Sequence, residues 1–331
     1  MITCTPLLLA LAIAARTTTT LASPLGANAS SWLGWPSVKH LFVFGDSYTQ
    51  TGFDPTATQP TASNPLGNPP WPGWTSSNGP NWLGFLTATY NHSSILAYNL
   101  AYGGATLDAA LVAPYQASVI SMKDQVQTQY LPLYAAAHAT TNTSWTAESS
   151  LFALFIGIND VGNTWWLDNR TALYDAIFKE YAALLHDVYD TGARNFLFLN
   201  VPPVNLSPLI TMQDDAGYAT EYEGRAIADW NARLAAMVDR FAQTKPGVAS
   251  FVFDTNALFR KVIEDPTTFD QTAGYKNTTA YCKAYENGTP TWYTKDPSCD
   301  YPVNQYLWLN SLHPTFPLHN ATAAAIVQML S

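Results

Sequence analysis

Ser47 stands in the run Gly45-Asp46-Ser47, directly after the apolar stretch Leu41-Phe42-Val43-Phe44. A strand that ends this way carries its serine to the carboxyl edge of a sheet, and Gly45 permits a tight turn there. Free N–H groups of a turn or helix start at Ser47 would face outward, where an acyl oxyanion needs donors. The same run also fits an ordinary turn or helix cap. Three further groups occur in matching places. Asn99-Leu100-Ala101-Tyr102-Gly103-Gly104 follows the weaker apolar run Ile95 to Asn99. Gly157-Ile158-Asn159-Asp160 follows Phe152 to Ile156. Ser311-Leu312-His313-Pro314-Thr315 lies far downstream. Singly they read as turns, a cap and a surface histidine. Four in order, three of them at strand ends, point to one site for acyl transfer. A serine hydroxyl is a poor nucleophile until a base takes its proton. His313, neutral near pH 7, can take that proton and later return it to a leaving alcohol.

The elements that must position these residues alternate along the chain. Leu41 to Phe44, Phe152 to Ile156, Phe196 to Leu199 and Phe251 to Phe253 are continuous apolar runs, as expected of strands buried on both faces of a parallel sheet. Between them, Leu173, Ile177, Tyr181, Leu184 and Val188 recur at helical spacing, with Gly192 to end the helix. Ile227, Trp230, Leu234, Val238 and Phe241 do the same before Pro246-Gly247. A less regular helix is expected over Val119 to Ala139. Alternating strands and helices predict a three-layer α/β fold, with its site beyond the carboxyl ends of the strands. The Pro-, Asn-, Gly- and Trp-rich segment from Thr56 to Pro80 reads as one long structured loop.

With these blocks in place, the chain resembles the GDSL/SGNH hydrolase superfamily from about Lys39 to His319. The stretch from Phe44 to Phe53 is most similar to fungal acetylesterases of carbohydrate esterase family sixteen. The resemblance implies an α/β/α sandwich with a flavodoxin-like parallel sheet. It also implies Ser47 as nucleophile, His313 as base, and Ser47, Gly103 and Asn159 as oxyanion donors. Losing one such donor raises a barrier by about 3–4 kcal/mol. The sequence departs from the family at one point. The usual Asp-x-x-His is here Asn310-Ser311-Leu312-His313. An amide cannot stabilise an imidazolium by charge. In serine proteases the equivalent exchange lowers turnover roughly ten-thousandfold by selecting the wrong tautomer. Either the Asn310 oxygen or a backbone carbonyl accepts the His313 Nδ1–H, giving a Ser–His dyad, or a carboxylate such as Asp296 or Asp300 folds back. The dyad is the expectation. Asp46 and Asp160 are expected to be structural.

Other chemistries lack their signatures. The sequence has no Gly-x-Ser-x-Gly elbow, no Walker loop, no His-Glu-x-x-His and no Cys-x-x-Cys. Neither a cofactor nor a metal is expected. Hydrophobic residues make up 47% of the 331 residues and charged ones 12%, enough apolar material for a sizeable core. The formal net charge of -9, with no Lys or Arg cluster, argues against nucleic-acid or anionic-membrane partners.

Pro6 to Ala15 is an apolar stretch of signal-peptide length, too short to span a bilayer and preceded by no Lys or Arg. Residues 1–22 are therefore expected to be a signal peptide, with cleavage after Ala15 or Ala22; a buried N-terminal helix is the alternative. Residues 23–331 then form one catalytic domain of a secreted, monomeric protein without a stable membrane anchor. Sequons start at Asn28, Asn91, Asn142, Asn169, Asn205, Asn277, Asn287 and Asn320. Cys4 would leave with the leader, so Cys282 and Cys299 can pair outside the cytosol, against the alternative of two free buried thiols.

Among 11 Trp and 18 Tyr, Trp71, Trp74, Trp165 and Trp166 lie close in sequence to the catalytic blocks. Their flat faces suit sugar rings, although aromatic residues equally pack cores. The resemblance implies hydrolysis of acetyl groups from hemicellulose-derived oligosaccharides. The alternatives are a lipase or phospholipase of the same fold, or a non-catalytic carbohydrate-binding protein, which Asn310 makes conceivable.

Overall fold

A computed structural model describes residues 31–135, 143–214 and 216–331. The expected leader, Asn28 and Asn142 lie outside the described residues. Five strands form one parallel sheet: β1 (His40–Gly45), β2 (Leu96–Asn99), β3 (Ser150–Phe155), β4 (Asn195–Leu199) and β5 (Ala249–Phe253), in the order β2-β1-β3-β4-β5. This is a flavodoxin-like order. It places β1, which carries the Ser47 turn, between the strands that lead to Gly103 and Asn159.

The apolar runs become strands because both faces are covered. Tyr98, Phe42, Phe152 and Phe196 are register partners on four neighbouring strands. Their rings form a row across one face, with centroids 4.9, 5.0 and 5.8 Å apart. Helices α2 (residues 122–134), α4 (Arg170–Asp190) and α5 (Tyr218–Thr244) cover that face. Tyr130 of α2 meets Phe42 edge-on, and Phe241 of α5 meets Phe196 edge-on. Helix α1 (Trp82–Ala88) packs on α7 (Phe316–Leu330), and α7 on α6 (Thr255–Glu264), over the other face. The short helix α3 (Ile158–Gly162) follows β3.

The expected helix over Val119 to Ala139 starts later, at Met122. Ser121 and Asp124 form a reciprocal capping box that fixes this start. Its central part, Gln125–Tyr130, is π-helical. Helix α5 begins nine residues before Ile227, over turns that carry Tyr218 and Tyr222 but are otherwise built of small and polar residues. Among the described residues no helix is long and apolar enough to cross a membrane.

A second, smaller core lies apart from the main one. Tyr285, Cys299, Val303, Tyr306 and Leu309 are buried together, with Cys282 packed against them. Cys282 and Cys299 are disulfide-bonded.

Candidate active site

The chain leaves β1 in a turn held by Asp46. The Asp46 carbonyl accepts from Thr49 N and Gln50 N at 3.0 and 2.9 Å, and its Oδ1 accepts from Tyr48 N at 3.0 Å. The outgoing carbonyl of Thr49 accepts from the side-chain amides of both Asn81 and Asn99 at 2.7 Å. These bonds use the turn's backbone groups around Ser47 but not Ser47 N–H. Among the described residues neither Ser47 N–H nor Gly103 N–H has an acceptor. Both remain available to an external oxygen.

Gly103 is brought alongside by Tyr102, whose N–H donates to Gly45 O at 3.0 Å. A Cβ at Gly103 would come within 2.5 Å of Gln50 Oε1, so a side chain there would have to displace the end of the Gln50 side chain. At the end of β3, Gly157 has φ 122 and a Trp230 ring where a Cβ would stand. That conformation directs the chain into α3 and sets Asn159. One N–H of the Asn159 amide donates to Ala105 O at 2.9 Å, which leaves the other for substrate. Asp160 accepts Leu107 N with both carboxylate oxygens, at 3.0 and 3.1 Å. The loops after β2 and β3 are thus one unit. Burial pushes the carboxyl groups of both Asp46 and Asp160 up to about 7.

The candidate base, His313, comes from a tight reversal before α7. Leu309 N donates to His313 O at 2.8 Å and Thr315 N to Leu307 O at 2.7 Å. The hydroxyl of Tyr48, next to the serine, donates to Leu312 O at 2.6 Å and ties the two loops together. His313 Nε2 then lies 2.8 Å from Ser47 Oγ. Its Nδ1 lies 3.1 Å from Asn310 Oδ1.

The same Asn310 oxygen accepts from Leu312 N at 3.0 Å and His313 N at 2.8 Å. Two backbone N–H groups, which can only donate, hold the amide with its oxygen toward the ring. His313 must therefore carry its proton on Nδ1, and its Nε2 lone pair faces the serine hydroxyl. The wrong tautomer that an amide permits in other settings is excluded here by local backbone donors. Neither Asp296 nor Asp300 supplies this contact: Asp296 accepts from Ser298 N and Oγ at 2.8 and 2.6 Å, and Asp300 is exposed. With no carboxylate at Nδ1, burial lowers His313 to about 4. His319 behind it is lowered to about 3, by burial and then by the His313 charge.

A cavity of about 740 Å³ opens on His313 and Asn310. One wall is the loop around Trp74, and the other is the Glu286 to Trp292 part of the disulfide-closed loop. Asn78 binds these walls together, its Oδ1 accepting from Thr289 N and its Nδ2 donating to Thr289 Oγ1, both at 2.8 Å. Trp74 is 73% exposed. Trp71 reaches the cavity only through its edge-on contact with Trp292. Trp165 and Trp166 meet edge-on, and neither is among the residues lining the cavity. Trp292 was not singled out from the sequence, because only the folded loop brings it to the site.

Of the sequon asparagines, Asn91, Asn169 and Asn287 are exposed, and Asn277 and Asn320 are half-buried. Asn205, whose sequon is followed by Pro208, is not open to a glycan. It is buried, and its amide donates to Thr220 O at 2.9 Å, so a glycan there would require the fold to open.

The GDSL-like Lipase/Acylhydrolase family model matches residues 41–326. An acetylesterase of Thermothelomyces thermophilus is 39% identical over 293 residues, spanning 88% of this chain and 87% of its own. An acetylesterase of Hypocrea jecorina is 24% identical over 324 residues, spanning 88% and 89%. Among solved structures, Axe2, an acetylxylan esterase of Geobacillus stearothermophilus, aligns with a TM-score of 0.47 at 15% identity, over 90% of this chain and 97% of that one. The matched span contains the Ser47 turn, the Gly103 and Asn159 loops and the His313 reversal, and the chain belongs to the GDSL-like lipase/acylhydrolase family.

Proposed function

We propose that the protein is a secreted esterase that removes acetyl groups from carbohydrate esters through an acyl-enzyme on Ser47. The observation that carries this reading is the 2.8 Å contact between Ser47 Oγ and a His313 Nε2 whose tautomer is fixed by Asn310. Ser47 Oγ attacks the ester carbonyl carbon while its proton passes to His313 Nε2. The oxyanion is met by Ser47 N–H, Gly103 N–H and the remaining Asn159 amide N–H. His313 returns the proton to the departing alkoxide. A water molecule then attacks the acyl carbon, His313 takes the water proton, and Ser47 leaves reprotonated as acetate is released.

Two curated relatives are named acetylesterases, one of them at 39% identity. The cavity beside His313 combines Trp74 and Trp292 with Thr75, Asn78, Asn287 and Thr289. Aromatic faces among hydroxyl and amide groups suit a leaving group rich in hydroxyls better than an alkyl chain. Secretion is supported by the apolar N-terminal stretch, the number of sequons and the paired cysteines.

The test compares wild type with Ser47→Ala on acetyl and palmitoyl esters of p-nitrophenol and on acetylated xylo-oligosaccharides. Acetate esters should be cleaved far faster than palmitate, with nearly all activity lost in Ser47→Ala. Equal rates on both chain lengths would turn the assignment to a lipase. An active Ser47→Ala would remove the mechanism.

A further inference from the structure

Gln125 is fully buried, and the reaction proposed above does not use it. Its side-chain amide pairs with both backbone groups of Gly45, the last residue of β1. Oε1 accepts from Gly45 N at 2.9 Å, and Nε2 donates to Gly45 O at 2.8 Å. A second contact of Nε2, to Ile120 O at 3.3 Å, completes its donors.

The arrangement answers a gap in the sheet. Strand β2 pairs with β1 only as far as Val43 opposite Asn99. Beyond that point the chain after β2 turns away into the Gly103 loop, and only Leu100 N and Tyr102 N still reach β1, at Val43 O and Gly45 O. Gly45 N–H would then be a buried orphan. The Gln125 amide, planar and carrying one acceptor and two donors, takes the place of the absent peptide unit. On its other side Gly45 is pressed against β3, where a Cβ would stand 2.4 Å from Phe155 O. Ser47 is two residues further on.

The start of α2 holds the second oxyanion loop as well. Met122 N donates to Thr106 O and Lys123 N to Leu107 O, both at 2.9 Å. Gly45 O is shared between Gln125 Nε2 and Tyr102 N, the residue before Gly103. Leu107 N in turn grips Asp160, and Ala105 O grips Asn159. One helix start is therefore tied to all three loops that carry the candidate oxyanion donors. Gln125 also opens the π-helical stretch Gln125–Tyr130, a rare conformation that often accompanies functional sites.

We propose that Gln125 is a positioning residue for ester hydrolysis: its amide replaces a missing strand beside Gly45 and holds the Ser47 turn in register with the Gly103 loop. The inference rests on Ser47 being the nucleophile. A methionine fills similar space without polar atoms, whereas a glutamate keeps the acceptor for Gly45 N–H. Misplacement of about 1 Å at a reacting group costs on the order of a hundredfold in rate.

The experiment compares Gln125→Met and Gln125→Glu with wild type on p-nitrophenyl acetate, alongside the rate of inactivation by a fluorophosphonate and the melting temperature. Gln125→Met should lower kcat per folded enzyme by roughly 10- to 100-fold with KM nearly unchanged. Fluorophosphonate labelling of Ser47 should slow in parallel, and Gln125→Glu should recover part of both. A variant that melts earlier but keeps wild-type kcat and labelling rate overturns the proposal, since Gln125 would then be structural only. If Gln125→Met does not fold, Gln125→Glu carries the same comparison. Ser47→Ala, measured beside them, separates the two readings: its activity would overturn the mechanism itself. An inactive Ser47→Ala with unaffected Gln125 variants overturns only the role given to Gln125.

Discussion

Replacing Asn310 with aspartate tests the electrostatics of this site most directly. The new carboxylate would sit where Oδ1 now lies, 3.1 Å from His313 Nδ1, and would inherit the N–H groups of Leu312 and His313. Opposite unit charges about 4 Å apart attract by about 4 kcal/mol at an effective dielectric near 20. One pKa unit corresponds to about 1.4 kcal/mol, so the upper bound is a rise of about three units. Dehydration of the carboxylate offsets part of this, and we expect a rise of about one to three units. In the wild type burial holds His313 at about 4. In the proposed mechanism the neutral ring is the base, so activity should be lost as pH falls through that value. Raising the folded-state pKa moves the loss to higher pH. The acid limb of kcat/KM for p-nitrophenyl acetate should therefore shift from near pH 4 upward by about one to three pH units. The same attraction stabilises the imidazolium formed in the transition state, so kcat above the limb should rise about 10- to 100-fold. Melting temperature serves as the folding control. A folded Asn310→Asp with an unmoved acid limb and unchanged kcat would refute the contact between residue 310 and Nδ1.

Three other outcomes follow from the same geometry. His313→Ala should remove nearly all turnover while leaving circular dichroism and melting close to wild type, because the sheet does not depend on it. Asn159→Ala should lower kcat roughly 100- to 1,000-fold; unchanged specific activity in a destabilised variant would make Asn159 a local brace through Ala105. Cys282→Ser opens the covalent loop that forms one wall of the cavity, and should lower the melting temperature by roughly 5 °C and also reduce turnover below it. Peptide mapping without reductant checks the bridge first, and a melting change without a kinetic one would confine it to stability.

The parallel sheet was legible because strands buried on both faces are written as unbroken apolar runs, such as Leu41 to Phe44 and Phe152 to Phe155. Helix α4 was legible for the complementary reason: its buried residues Ile177, Tyr181, Leu184 and Val188 keep a helical period. Helices α1 and α7 were not read from the sequence. Nearly every residue of α1 is buried, so it has no polar face to set a period. The candidate residues Ser47, Gly103 and Asn159 were read as motifs at strand ends, and His313 as a fourth motif far downstream of them. The orientation of Asn310 was not readable, because it depends on two backbone N–H groups placed by a reversal of the chain. Gln125 and Trp292 share that property: their partners, Gly45 and Trp71, are remote in sequence.

The candidate nucleophile and base are 266 positions apart, and they meet only when the segment before α7 has folded back beside β1. During synthesis the sheet can therefore assemble strand by strand while the serine remains unactivated. On the proposed mechanism, hydrolysis would begin only after the segment carrying residue 313 has left the ribosome and docked. A nascent or truncated chain that has folded most of its core should be catalytically silent. On the proposed mechanism, ester cleavage would report docking of the segment around residue 313, and its appearance during cell-free translation would mark that step rather than the formation of the sheet.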